Sequence, residues 1–314
     1  MTPPLPFVAT LDDAARRAWL AALRAALPGE RLVDLDELSD AERASVDVAI
    51  VANPPPQALR GLPRLRWVHS VWAGVERLLG EWPDGHLHIV RLVDPQLADT
   101  MAEAVLAWTL YLHRDMPRYA EQQRQRVWQP LEWVRAQDRV VGVLGLGHLG
   151  EAAARRLAAS GFAVEGWSRS AKDLAGVRCH SGEAGLRALL GRAQLLVSLL
   201  PLTPATQGLL DRDAFAALPA GAGFINFSRG AIADDAALRQ ALDSGHLSHA
   251  VLDVFTTEPL PPPSWQWGHP RVTVLPHISA PTHRGTAAAI VARHITAYRR
   301  SGALPPGVDR QQGY

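Results

Sequence analysis

Apolar residues recur along this chain in short runs separated by stretches of helical spacing, and the alternation repeats almost from end to end. A run at 6–9 precedes a helical pattern at 12–27, which Pro28 and Gly29 stop. A second unit has the same form: a strand at 31–35, a short helix at 39–45 opened by Ser39, and a strand at 46–52 that ends at Asn53 and three prolines. Another strand is predicted at 65–70, followed by a turn, VWAGV at 71–75, that leads into a helix. The longest helical pattern, 98–125, carries Met101, Val105, Trp108, Leu112 and Met116 at spacings of three and four. It predicts one long helix passing from the first domain to the next, with an apolar stripe that serves either core packing or a subunit interface.

The alternation resumes with VVGVLGLGHLG at 140–150, where a β-branched run ends in a glycine turn and an alanine-rich helical pattern follows. Gly145, Gly147 and Gly150 fit G-x-G-x-x-G, in which the first glycine permits the tight turn, the second lets a pyrophosphate approach the backbone and the third lets helix pack on strand. The anion would then rest on free N–H groups, those of His148 and Leu149 among them, at the N-terminus of the helix that begins near Leu149. Further strands are predicted at 162–167, 194–200, 223–227, 250–254 and 272–275, and a final helix at 284–300 that packs back onto the first domain. Strands alternating with helices make parallel sheets covered on both faces. The fold class is therefore α/β, with two doubly wound parallel-sheet domains.

Composition narrows the function. A chain of 314 residues with a formal net charge of +1 has room for two cores and offers no electrostatic reason to bind nucleic acid. No apolar run approaches the roughly 18 residues of a membrane span, and Asp12, Asp13, Arg16 and Arg17 argue against a signal peptide. Cys179 is the single cysteine, which excludes an intramolecular disulfide and a thiolate metal cluster and suits a reducing, cytoplasmic setting. His86 and His88 share a strand face, but no third ligand follows at a recognisable spacing, so no metal site is expected.

An NAD site wants an acid at the end of the second strand, about 20 residues past the glycines, to accept from the ribose 2'-hydroxyl. Trp167, Ser168, Arg169 and Lys172 stand there instead, and Glu165 falls three residues short, inside the strand. A hydroxyl with two cations suits the 2'-phosphate, so NADP(H) is expected in preference to NAD(H). Three more residues follow strand ends: Arg229 in INFSRG, Glu258 in LDVFTTEP and His277 in LPHIS. An arginine offers a planar fork to a carboxylate, a histidine gives a proton near neutral pH, and a glutamate beside it orients it and favours its charged form. Together they are what reduction of a 2-keto acid requires.

These motifs resemble the D-2-hydroxyacid dehydrogenase family, and within it the branch of bacterial glyoxylate/hydroxypyruvate reductases of the A type. The resemblance rests on SVWAGV at 70–75, WQPL at 128–131, the glycine turn, WSR at 167–169, LPLTPAT at 200–206, NFSRG at 226–230, LDVF at 252–255 with Glu258, Pro259 and Leu260, Pro276 with His277, and VDR at 308–310 with Gly313 and Tyr314. It implies a flavodoxin-like substrate domain, 1–98 plus 281–314, and a Rossmann cofactor domain, 99–280, with the active site in a cleft. By the same resemblance the cofactor contacts include Leu200, Pro201, Thr206, Phe227, Ser228, Arg229, Asp253 and His277, and the substrate meets Trp72, Ala73, Gly74, Arg229 and His277. It implies a homodimer in which Trp128 reaches the partner's active site, and reduction of glyoxylate or hydroxypyruvate to glycolate or D-glycerate. Two departures stand out: Trp72 where such reductases carry a small residue, and Ser279 with Ala280 in place of an alanine pair. Other family chemistries, oxidation of phosphite or formate, and a dinucleotide-sensing corepressor are the alternatives.

Overall fold

Strands alternate with helices along most of this computed structural model, which describes residues 3–83 and 85–310, and most of the strands are buried. Gly313 and Tyr314, part of the resemblance above, lie outside the described residues. The chain divides into two compact units, Met1–Gln96 with Thr282–Tyr314 (unit 1) and Leu97–Pro281 (unit 2). In chain order unit 1 begins β1 (Leu5–Ala9), α1 (Asp13–Ala26), β2 (Leu32–Asp34), α2 (Asp40–Arg43), β3 (Val48–Ala52), α3 (Pro56–Arg60), β4 (Trp67–Ser70), α4 (Glu76–Glu81) and β5 (His88–Val90). Its sheet has the order β2-β1-β3-β4-β5, with every pair parallel. All five residues of β3 are buried, as expected for a central strand covered on both faces.

α5 (Pro95–His113) leads into α6 (Met116–Gln125), β6 (Val140–Leu144), α7 (His148–Ala159), β7 (Ala163–Ser168), β8 (Val177–Ser181), α8 (Gly182–Leu190), β9 (Leu195–Ser198), α9 (Arg212–Ala217), β10 (Ala222–Asn226), α10 (Asp235–Asp243), β11 (Leu247–Leu252) and β12 (Val272–Val274). The seven-stranded sheet of unit 2 has the order β12-β11-β10-β9-β6-β7-β8, again parallel throughout. Strand order reverses at β6, where the chain goes first to β7 on one side and then to β9 on the other, and ligands bind at such a switch point. α11 (Arg284–Ser301) returns to unit 1, where Ala288, Val291 and Ile295 share a core with Trp19 and Leu23 of α1.

Four expectations are corrected. The single helix at 98–125 is two, because Pro117 has no N–H for the carbonyl of His113, and Asp115 turns the chain with a φ of 53°. The strand at 31–35 stops at Asp34, whose side chain begins a 3-10 turn at Leu35–Glu37 that Glu37 closes from the other end. The strand read through His86 and His88 begins only at His88 and runs on to Val90 as β5, and the edge strand β8 was not anticipated, since most of it is half-exposed and alternates weakly. α8, α9 and α10 follow the strands with short patterns that the sequence reading passed over. Among the described residues no helix is long and apolar enough to cross a membrane.

Candidate active site

The expected cofactor residues of unit 2 follow the carboxyl ends of neighbouring strands. Gly145, after β6, has a φ of 94°, and a Cβ on it would meet the carbonyl oxygen of Leu199 at 2.8 Å. A Cβ on Gly150 would lie 1.6 Å from the carbonyl oxygen of Gly145, so the third glycine is what lets α7 pack against the turn. Gly147 is different: nothing lies within 4 Å of its Cβ direction, and as N-cap it makes no side-chain bond to the first turn of α7. The N–H groups at the start of α7, His148 and Leu149 among them, have no acceptor within the helix, and no side chain at Gly147 stands beside them.

At the tip of β7, Ser168 is half-buried and donates to the carbonyl of Ser170 at 2.8 Å, while Arg169 and Lys172 are exposed. Trp167 is fixed by its indole N–H on the carbonyl of Gly182 at 2.9 Å. Glu165 faces away from this work. Burial pushes its carboxyl up, but hydrogen bonds from Arg192 at 2.7 Å and His180 at 2.8 Å outweigh that and hold it below the usual range. Beyond β9, Leu200 is buried and the hydroxyl of Thr206 donates to the carbonyl of Pro201 at 2.6 Å, accepting in turn from the N–H of Thr203 at 2.8 Å. Thr206 thus closes the loop on itself, and its hydroxyl is committed there.

After β10 the chain turns on Asn226, whose side-chain oxygen accepts from the N–H and hydroxyl of Ser228 at 3.2 and 2.6 Å. Its amide donates to the carbonyl of Arg229 at 3.2 Å, and Ser228 also bonds Ser198 at 2.9 Å. Phe227 is buried, while Arg229 is half-buried with one guanidinium nitrogen on the carbonyl of Ser228 at 2.7 Å. Next in the sheet, β11 leads to Glu258 and β12 to His277. One Glu258 oxygen accepts from the N–H of Phe255 at 2.8 Å and the other meets His277 Nδ1 at 2.8 Å. The ring is about half exposed, and its Nε2 has no partner among the described residues.

Sequence reasoning missed how His277 is held. Its φ is 55°, and the two residues after it are gripped by Asp253: one carboxylate oxygen accepts from the N–H of Ile278 at 2.7 Å, the other from the N–H and hydroxyl of Ser279 at 2.8 and 2.5 Å. Asp253, expected at the cofactor, is buried and accepts all three of these bonds from the loop that carries His277. Ser279, noted as a departure, supplies the third of those bonds.

In unit 1, Trp72, Ala73 and Gly74 follow β4, itself held by buried His69, and all three are half-buried. The N–H of Trp72 donates to the Ser70 hydroxyl at 3.0 Å and its carbonyl accepts from Leu92 at 3.0 Å. The N–H groups of Ala73 and Gly74 find no acceptor among the described residues, which leaves two adjacent donors for an anion. A cavity of about 60 Å³ lined by Asn53, Ser70, Gly74, Val75 and Arg77 opens beside them. The Trp72 ring does not stand over that cavity; it packs into the unit's core against Trp19. Trp128 is almost wholly exposed, in an irregular stretch with half-exposed Val127 and exposed Trp133. His88 bonds the carbonyl of Pro305 at 2.8 Å, and no group of three metal-ligating side chains occurs among the described residues.

Residues 106–279 match a family model described as D-isomer specific 2-hydroxyacid dehydrogenase, NAD binding domain. The chain is 39% identical over 304 residues to glyoxylate/hydroxypyruvate reductase A of Serratia proteamaculans, covering 94% of this chain and 96% of that protein. Its fold is similar to a D-isomer specific 2-hydroxyacid dehydrogenase from Xanthobacter autotrophicus solved with NADPH and MES, at a TM-score of 0.91 and 38% identity over 100% of both chains. An NADPH-dependent glyoxylate/hydroxypyruvate reductase from Sinorhizobium meliloti, solved with NADP and sulfate, gives a TM-score of 0.88 and 36% identity over 99% of each.

Proposed function

We infer the reaction from one premise: the chain belongs to the D-isomer specific 2-hydroxyacid dehydrogenase family and is an NAD(P)-dependent oxidoreductase. Its reaction is the NADPH-dependent reduction of glyoxylate or hydroxypyruvate to glycolate or D-glycerate, in line with the names of its relatives in Serratia and Sinorhizobium. The observation that carries the reading is the Glu258–His277 contact at 2.8 Å, which leaves Nε2 of the ring as a proton donor after the strand next to the one that leads to Glu258.

NADP(H) is expected on Gly145, Gly147, His148, Leu149 and Gly150, with its 2'-phosphate at Ser168, Arg169 and Lys172 and with Trp167, Leu200, Pro201, Thr206, Phe227, Ser228, Arg229, Asp253 and His277 around it; the open Cβ direction of Gly147 suits the approach of the pyrophosphate. When bound, its reduced form supplies the hydride to the carbonyl carbon. The protein's own residues do the rest. The N–H groups of Ala73 and Gly74 are the proposed donors to the substrate carboxylate, and Arg229 offers the planar fork that polarises the keto oxygen. His277 Nε2 then gives its proton to that oxygen, and Glu258 keeps the ring oriented and balances its charge. A cavity near 60 Å³ beside the two N–H donors favours a compact substrate.

Two further readings belong here. A homodimer is proposed on Trp128, 99% exposed in the single chain and flanked by exposed Trp133; a solution mass twice that of the chain checks it. The cytoplasm is proposed as the compartment, on a lone unpaired cysteine. The reaction is tested by following loss of reduced-nicotinamide absorbance with glyoxylate, hydroxypyruvate and pyruvate, and its gain with phosphite or formate and NADP⁺. Turnover of the first two acids is expected. Turnover of phosphite or formate alone would assign a different family chemistry, and cofactor binding without any turnover would favour a sensor.

A further inference from the structure

We propose that Trp19, on α1, is a positioning residue for the anion-binding turn at Ala73 and Gly74, acting through Trp72; the assignment rests on the carboxylate role given to that turn above. Two backbone N–H groups bind an anion well only if both are already aimed, and a turn containing Gly74 does not aim itself. The residues on either side must fix it. On the far side buried Val75 leads into α4. On the near side the backbone of Trp72 is tied twice, through its N–H to the Ser70 hydroxyl at 3.0 Å and through its carbonyl to the N–H of Leu92 at 3.0 Å. The Ser70 carbonyl is itself bonded to Nδ1 of His69 at 2.9 Å, so the tie runs back into β4.

What those bonds leave open is the Trp72 side chain, and Trp19 settles it. The two indoles meet edge to face, centroids 5.6 Å apart and planes at 88°. Trp19 is 2% exposed and belongs to the core shared by α1, the sheet and α11, so it cannot move without that core. Trp72 packs on the same core from the surface, and its indole Nε1 is buried with no hydrogen-bond partner. Among the described residues no polar bond therefore orients the Trp72 ring, and Trp19 is the aromatic neighbour it packs against. A rigid helix thereby fixes the side chain that immediately precedes both anion donors.

The test compares Trp19→Phe, Trp19→Leu, Trp72→Ala and the Trp19→Leu/Trp72→Ala pair in the full chain. Two readouts are taken: initial rates with glyoxylate and NADPH, and calorimetric titration with oxalate, a non-reacting carboxylate, in the presence of NADP⁺. Trp19→Leu and Trp72→Ala should each raise the glyoxylate KM and the oxalate Kd by about tenfold, and Trp19→Phe, whose smaller ring draws back from Trp72, by about threefold. The NADPH KM should stay within about twofold and kcat within about threefold, and the double variant should be no worse than either single one. A merely structural tryptophan predicts the opposite split, with stability, kcat and NADPH KM moving and carboxylate affinity unmoved, and that result overturns the proposal. So does Trp19→Phe at the wild-type KM and Kd, a reading that survives even if Trp19→Leu does not fold. If the wild type does not reduce glyoxylate, the reductase reading fails by itself. Oxalate affinities across the variants still decide the clamp, and a wild type that binds no oxalate overturns it.

Discussion

His277 must expose one ring nitrogen, keep the other on Glu258 and hold a left-handed backbone, and these demands fall on different neighbours. A non-glycine residue at a φ of 55° costs on the order of 1 kcal/mol, and the three bonds from Asp253 to Ile278 and Ser279 offset it. Because the proton donor and its support are separate, their loss should look different. His277→Ala should lower kcat by roughly 10²-fold with NADPH affinity little changed. Glu258→Gln keeps the shape of the contact but removes the charge, so kcat should fall less than in His277→Ala. Steady-state rates from pH 5 to 9 check both, and a His277→Ala enzyme of near-normal turnover removes the histidine from the mechanism. That Glu258 and His277 lie together was legible in the sequence, because each follows an apolar run and a glutamate beside a histidine is a recognisable pairing. Asp253 was not, since its partners lie 25 and 26 residues further on and only the folded loop brings them to it.

At the scale of elements, what was legible depended on how deeply an element is buried. β3, β9 and β10 are buried on both faces and read as apolar runs, whereas β8, half-exposed at the sheet edge, gives no such run. The break before α6 needed one fact that periodicity overlooks, that Pro117 cannot donate to the helix it interrupts. The end of β7 was read from what is missing, an acid, and its surroundings make that reading firmer: Glu165 is drawn off by Arg192, His180 and the more distant Arg178, leaving the tip to Ser168, Arg169 and Lys172. A charged hydrogen bond to a phosphate is worth about 1.5 to 3 kcal/mol, so after desolvation two of them should give a preference for NADPH over NADH on the order of 10²-fold. The preference should shrink with added salt, since both cations are exposed. Ser168→Asp with Arg169→Ala should reverse it, the new carboxylate accepting from the NAD ribose and repelling the phosphate. Ratios of kcat/KM for the two cofactors measure this, and equal efficiencies in the wild type would sink the NADP assignment while leaving hydride transfer intact.

The molecule as a whole carries buried histidines in both units, and they set how its stability responds to acid. In unit 1, His69 joins β4 to α11 through a 2.9 Å contact with His294; burial, reinforced by the neighbouring His294, holds His69 down to about 4 despite its bond to the Ser70 carbonyl. Burial and Arg293 hold His294 below its ordinary value as well. In unit 2, burial, with His269 nearby, brings His249 down to about 4, and it bonds the Thr273 hydroxyl at 2.9 Å. A histidine whose folded value lies below its unfolded one binds fewer protons in the native state, so stability rises with pH across the interval. For His69 and for His249 the contribution is complete above about 6.5 and is lost as pH falls towards 4, up to about 3 kcal/mol each. Glu165 adds in the same direction at lower pH: held below its ordinary value, it loses its stabilising charge only beneath the usual carboxylate range. Both units should therefore weaken together on acidification, before the carboxylates as a class are protonated. Melting temperature followed from pH 7.5 to 4.5 should show a steady fall beginning near 6.5. His249→Gln keeps a polar partner for Thr273 without a titrating ring, so the fall for unit 2 should flatten in that variant and persist for unit 1. A wild-type melting temperature that is level down to pH 5, or a His249→Gln profile parallel to the wild type, would show that these histidines are not what acid acts on.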